Sequence, residues 1–166
     1  VDQAVLDELK AYPTSIKSSL EQFRFREALA EFMNVARLGN KYLADEEPWK
    51  IIKTDEERVK TILNVAAQIV ANLAVLAQPF LPKTAIKLFE MLNFPQGNWN
   101  DAGSDALIKT GHQLGEVQLL FDKITDEQVD FQLNKLAEAK AKNLADNAKV
   151  APAKENISFD DFVKMD

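Results

Sequence analysis

The stretch TDEERVKTILNVAAQIVANLAVLAQPFLP, residues 54–82, decides the fold. Its apolar residues Val59, Ile62, Leu63, Ala66, Ile69, Val70, Leu73 and Leu76 recur at steps of three and four. That is the period of an α-helix, not the alternation of a strand. They occupy so much of the circumference that the helix is expected at the centre of a bundle, and its Ala-rich middle lets neighbouring helices come close. Thr54 followed by Glu57 predicts a capping box at its start, in which the hydroxyl takes the Glu57 amide and the carboxylate returns to the cap. Pro79 and Pro82 end or kink the helix, because proline lacks an N–H and clashes with the preceding turn.

The flanking sequence carries the same period. Val1, Val5, Leu6, Leu9, Tyr12, Ile16, Leu20 and Phe23 predict one amphipathic helix, with a bend at Pro13. Phe25, Leu29, Phe32, Val35, Ala36, Leu38 and Leu43 predict a second, with Arg24, Arg26, Glu27, Glu31 and Lys41 toward water. The two are expected to form an antiparallel hairpin. A helix over Lys83 to Leu92 presents Ile86, Phe89 and Leu92; from Asn93 to Gly115 the pattern fails and glycine, proline and asparagine mark turns. Thr125 and Gln128 predict a second capping box, opening a last helix over Val129, Leu133 and Leu136. The fold class is all-α, a helical bundle.

Beyond about Ala139 the chain is rich in Ala, Lys, Asn and Asp, with Pro152 and little apolar residue beyond Leu144 and Val150. Such a segment has too little to bury, and a flexible linker is expected over residues 143–156. The helical domain is thereby assigned to residues 1–142 and a separate piece to residues 157–166.

With 46% hydrophobic and 28% charged residues over 166 positions, the composition is that of one globular domain with its own core. No cysteine is present and only one histidine, which excludes a disulfide framework, a thiolate zinc site and a His-rich metal centre. This composition fits a cytoplasmic protein. The longest apolar stretch, Ile69 to Leu81, is broken by Asn72, Gln78 and Pro79, and neither a membrane span nor a signal peptide is read. A net charge of −6 and a pI near 4.9 argue against a broad phosphate-binding surface. Composition by itself favours a helical protein-interaction or scaffolding domain without RNA binding.

Groups for catalysis are scarce. His112 sits beside Gly111 in a turn region without a nucleophile motif, and a structural role is the simpler reading. The acidic pairs in Asp45-Glu46-Glu47, Asp55-Glu56-Glu57 and Asp160-Asp161 lie where helix ends and turns are expected, as solvated caps. No glycine-rich phosphate loop is present. Pro48-Trp49 is the pair that suggests recognition. The proline stops the preceding helix and can open the next at its first position, holding the indole at an interhelical junction. A Trp near a helix start is more often a packing residue, but one left accessible can stack on a base.

Asn40-Lys41-Tyr42, Glu47-Pro48-Trp49-Lys50, Pro79 to Ala85, Gly111-His112 and Leu120 to Ile124 occur in an order and spacing that resembles the anticodon-binding domain of methionyl-tRNA synthetase, over about residues 1–142. Val117-Gln118 depart from the family, which has a proline before the Leu-Phe pair. The resemblance implies a non-catalytic fragment of a class I aminoacyl-tRNA synthetase, starting downstream of the family's Asn-x-x-x-Arg helix. It implies that the partner is the anticodon loop of methionine tRNA, with Trp49 stacking on a base, Asn40 beside it, and Lys50 and Lys53 reaching phosphates. For the lysines, plain solvated surface remains the alternative, and for Asn40 a structural helix-end role. Neither a His-Ile-Gly-His string nor a Lys-Met-Ser-Lys-Ser loop occurs, so no catalytic residue, cofactor or metal is expected in this chain. ATP, and a zinc ion, belong by resemblance to the absent catalytic part of the parent enzyme, which ligates methionine to tRNA. Residues 157–166 resemble the first strand of a C-terminal tRNA-binding module, through which the parent is expected to form a homodimer. The remaining alternative is the helical domain of another class I synthetase.

Overall fold

A computed structural model describes residues 1–148, 156 and 158–164. The described residues contain seven α-helices, one 3₁₀ turn and no strand. The chain divides into two units, Val1–Leu120 and Phe121–Asp166.

In the first unit, α1 (Asp2–Glu21) and α2 (Phe25–Glu46) form the expected hairpin, and α1 runs on through Pro13, which is buried inside it. The turn between them is closed at Phe23, with φ of 59°. The Phe23 N–H donates to Leu20 O, and the Arg24 N–H reaches back to Ser19 O at 2.8 Å. This is the left-handed helix stop usually given to glycine, here made by an exposed phenylalanine. The central helix α4 (Glu56–Ala77) packs against α1, α2, the short α3 (Pro48–Ile51) and α5 (Pro82–Met91). It is long and apolar enough to cross a membrane by length and composition, with mean hydropathy 1.6, yet most of that window is buried inside the protein.

Three local expectations are corrected. The cap of α4 is Asp55, not Thr54: its side chain accepts the Arg58 N–H at 2.9 Å, while the Thr54 hydroxyl bonds Ile51 O. On α2 the buried face is Ala28, Phe32, Val35 and Tyr42, whereas Phe25 and Leu29 are exposed. The smallest side chains mark the contact: a Cβ on Gly39 would lie 3.1 Å from Ile69 Cγ2, so the two helices touch there and turn the larger residues outward. On α5, for a similar geometric reason, Ala85 and Phe89 are buried and Ile86 is left outside.

The glycine-rich segment after α5 is irregular but tied down. Gln68 and Asn72, polar residues on the buried face of α4, act as its anchors. Gln68 donates from Nε2 to Ile108 O at 2.7 Å and accepts the Ile108 N–H at 3.1 Å. Asn72 donates to Ser104 O at 2.8 Å and accepts the Gly103 N–H. Ile108 thereby joins the core. Gly103, at φ 87°, packs against Pro13 and Lys10 of α1, in a conformation and a space that disfavour any side chain.

In the second unit the Thr125 capping box forms as expected: Thr125 N–H donates to Gln128 Oε1 at 3.0 Å and Gln128 N–H to the Thr125 hydroxyl at 3.4 Å. It opens α6 (Asp126–Ala148), whose Val129, Leu133 and Leu136 are exposed. The helix runs past the expected boundary at residue 142, because Ala, Lys and Leu are strong helix formers and nothing in the 143–148 sequence breaks it. Residues 149–155 of the expected linker lie outside the described residues. Phe159–Val163 forms a short helix, α7, and not the start of a strand: Ser158 caps it by accepting the Asp161 N–H, and the described residues hold no strand for it to pair with.

Candidate nucleic-acid interface

The corner between α2 and α4 is built from chain-stopping chemistry. Glu47 takes the left-handed conformation, φ 43° and ψ 54°, and its N–H donates to Leu43 O at 3.0 Å, which ends α2. Pro48 follows as the first residue of α3, where its missing N–H is no loss. At the other end, the N–H groups of Thr54 and Asp55 both donate to Ile51 O, at 2.9 and 2.8 Å. Pro48 is buried and Ile51 packs on the core, so α3 is pinned by its first and last residues.

Between those two anchors Trp49 faces solvent, with 60% of its surface exposed. A packing tryptophan contributes stability by burying its ring, and this one leaves most of its surface in solvent. Lys50 and Lys53 lie on the same corner and are exposed. Lys50 Nζ stands 2.8 Å from Glu47 Oε1 in an exposed pair worth about 0–1 kcal/mol, weak enough for a phosphate to displace. Lys53 makes no ion pair among the described residues. Asn40 is exposed on α2, which continues to Glu46, so it does not end the helix. No hydrogen bond among the described residues joins its amide to Trp49, Lys50 or Lys53. The structure thus gathers three of the four expected residues on one corner and leaves Asn40 on the adjoining helix.

Sequence reasoning missed what lies behind the corner. Arg58, in the first turn of α4, forms a fork on Asp2, Nη1 to Oδ2 at 2.5 Å and Nη2 to Oδ1 at 2.8 Å, and Nη2 also reaches Glu46 Oε2 at 2.6 Å. Tyr42, 2% exposed, donates its hydroxyl to Asp2 Oδ1 at 2.8 Å. The Arg58 guanidinium holds the Asp2 carboxyl down at about 2, with the Tyr42 hydroxyl adding to it. Burial, then the Asp2 carboxylate, pushes the Tyr42 phenol well above its ordinary range. Tyr42 and Glu46, one helical turn apart on α2, were the available signal: a polar-tipped ring in an apolar stripe needs a partner.

The corner is electrostatically mixed, with Asp45, Glu46, Glu47 and Asp55 to Glu57 around Lys50 and Lys53. It therefore suits stacking on a base plane better than gripping a phosphate chain. Elsewhere, His112 Nε2 lies 2.6 Å from Leu92 O and ties the irregular segment to α5. Among the described residues no group of three or more His, Cys, Asp or Glu could hold a metal ion.

A family model described as the anticodon binding domain of methionyl tRNA ligase matches residues 1–141. The chain is similar to the methionine–tRNA ligase of Cytophaga hutchinsonii, 56% identical over 99% of this chain and 24% of that protein. It is similar to that of Flavobacterium psychrophilum, 58% identical over 100% of the chain and 24% of the relative. It is also similar to that of Bacteroides fragilis strain YCH46, 47% identical over 99% and 24%. The chain spans about a quarter of the length of these curated relatives.

Proposed function

Because the chain belongs to the family of anticodon-binding domains of methionyl-tRNA ligase, we propose that it recognises the anticodon loop of methionine tRNA by stacking a base on Trp49. The observation that carries this reading is a large aromatic ring 60% exposed on a one-turn helix held by its buried Pro48 and by Ile51 packed on the core. Proteins read single-stranded RNA loops by stacking splayed bases on such rings and bonding their edges with nearby amides and cations. Asn40 supplies an amide free of any partner among the described residues, and Lys53 a cation that can reach a phosphate. Lys50 becomes available once its pair with Glu47 opens.

The longer protein ligates methionine to this tRNA with ATP, in a catalytic part outside this chain that holds the ATP and any zinc ion. In that division of labour the chain contributes selection and no chemistry. The net charge of −6 makes the isolated chain a weak binder, with affinity falling as salt rises.

The test is a titration of labelled methionine-tRNA anticodon hairpin with this chain at low salt, beside a hairpin of altered anticodon. Trp49→Ala is expected to weaken binding to the native hairpin by about 1–3 kcal/mol, or roughly one to two decades. The altered hairpin should bind weakly to both proteins. Equal affinity of the parent chain and Trp49→Ala for the native hairpin would overturn the assignment.

A further inference from the structure

We propose that Arg58 is a positioning residue for the anticodon-reading corner: by clamping Glu46 and Asp2 it closes residues 47–57 into a fixed loop and sets the direction in which Trp49 points. The inference rests on the reading of Trp49 as the stacking residue.

The clamp is placed where such a role requires. Glu46 is the last residue of α2, immediately before the left-handed Glu47, and Arg58 stands in the first turn of α4. The ion pair between them therefore joins the two ends of the segment that carries Trp49, and closing a loop removes the conformations in which its middle would wander. Asp2, at the start of α1, takes the other edge of the guanidinium, and Tyr42 fixes Asp2 in turn, so a third helix braces the junction. The side chains of Arg58, Asp2 and Glu46 are only 30%, 26% and 17% exposed. At that burial the pairs are screened less by salt than surface pairs, and a planar fork fixes orientation as a single ammonium cannot.

Inside the loop, α3 is one turn long, too short to hold its direction by its own hydrogen bonds. Its buried Pro48 and packed Ile51 fix where the corner sits. The clamp fixes how it is tilted. Its loss frees the corner in the unbound protein, and the base that stacks must then order it again, which weakens binding without removing any RNA contact.

The experiment uses the full chain with Trp99→Phe, so that Trp49 is the sole indole. Fluorescence anisotropy of Trp49 and affinity for the methionine anticodon hairpin are measured for this chain, for Arg58→Gln and for Arg58→Lys. Arg58→Gln is expected to lower the anisotropy and to weaken hairpin binding about three- to tenfold at a temperature where helix content is unchanged. Arg58→Lys, which keeps the charge but reaches one carboxylate at a time, should recover part of both. A merely structural role predicts earlier melting with unchanged anisotropy and affinity below the transition, and that result overturns the proposal. So does full recovery by lysine, which would make the charge and not the fork the active feature. If Arg58→Gln loosens the indole while Trp49→Ala leaves hairpin binding unchanged, the clamp stands as a conformational device and the anticodon reading falls. If Trp49→Ala weakens binding and Arg58→Gln alters neither signal, the anticodon reading stands and the clamp falls.

Discussion

Asn72→Ala is expected to detach the irregular segment from the bundle without dissolving the bundle. Asn72 is fully buried in α4, and its amide makes three hydrogen bonds: Nδ2 to Gln68 O at 2.9 Å and to Ser104 O at 2.8 Å, and Oδ1 from the Gly103 N–H. Alanine keeps the helix and removes all three. The Ser104 carbonyl is in a partly exposed setting and can bond water. The Gly103 N–H lies in a buried residue pressed against Pro13 and Lys10 and cannot. An orphaned buried donor costs about 1–3 kcal/mol, and with the lost bonds and the small void the total is about 2–4 kcal/mol. Urea unfolding followed by circular dichroism measures that total, and amide exchange locates it. Gly103 and Ile108 should lose protection, while Ile62 and Ile69 in the middle of α4 should keep theirs relative to the new global stability. Asn72→Asp makes a sharper case. It retains an acceptor for Gly103 but turns a second carboxylate oxygen toward the Ser104 and Gln68 carbonyls. Its folded-state pKa must rise, so this variant should be less unstable at low pH and worsen as the pH climbs past the ordinary carboxyl range. A loss below about 0.5 kcal/mol for Asn72→Ala, or a Gly103 amide as protected as in the parent, would refute the idea that this amide anchors the segment.

Asp2 is held at about 2 against an ordinary 3.8, so its contribution of about 2 kcal/mol is complete above pH about 4 and is lost as the pH falls toward 2; Asp2→Asn should flatten the stability profile across that window. Phe32→Ala, removing a buried ring stacked on Phe80 at 5.2 Å, should lower stability by about 3–5 kcal/mol, whereas Phe25→Ser on the exposed side of α2 should change the urea midpoint little. Gly115→Ala would put a Cβ 2.2 Å from Glu90 O, so the Gly115 to Met91 hydrogen bond should break, with a melting loss equivalent to about 1–3 kcal/mol; an unshifted melt would show that this strap is slack.

The helical period alone was enough to order α1, α2, α4 and α5 along the chain, because each must bury a stripe and the stripes recur every three to four residues. Pro48 located the corner for a similar reason: a missing N–H is a local fact that no tertiary context repairs. What periodicity could not supply was rotation. Phe25, Leu29 and Ile86 lie within the apolar arcs of their helices yet face water, since which part of a wide arc is covered depends on where Gly39, Ala28 and Ala85 let the backbones meet.

The site divides along the same line. That Trp49 follows a helix-opening proline was readable in the sequence, but its exposure was not. An indole at such a junction can be covered or bare, and the outcome depended on Pro48 and Ile51 taking the inward positions of a one-turn helix. The partners of Arg58 were equally out of reach, because Asp2 lies at the far end of a hairpin and comes within hydrogen-bonding distance only when α1, α2 and α4 are packed. Asn72 and Gln68, which interrupt an apolar run in the sequence, become in the folded chain the two side chains that hold a segment with no regular structure of its own. The sequence by itself determined that the long segments α1, α2, α4, α5 and α6 are helical and roughly where the first four stop, since periodicity, propensity and proline act within a few residues. Only the tertiary structure decided which faces close, which ring stays bare and which charges meet, since those follow from contacts between residues far apart along the chain.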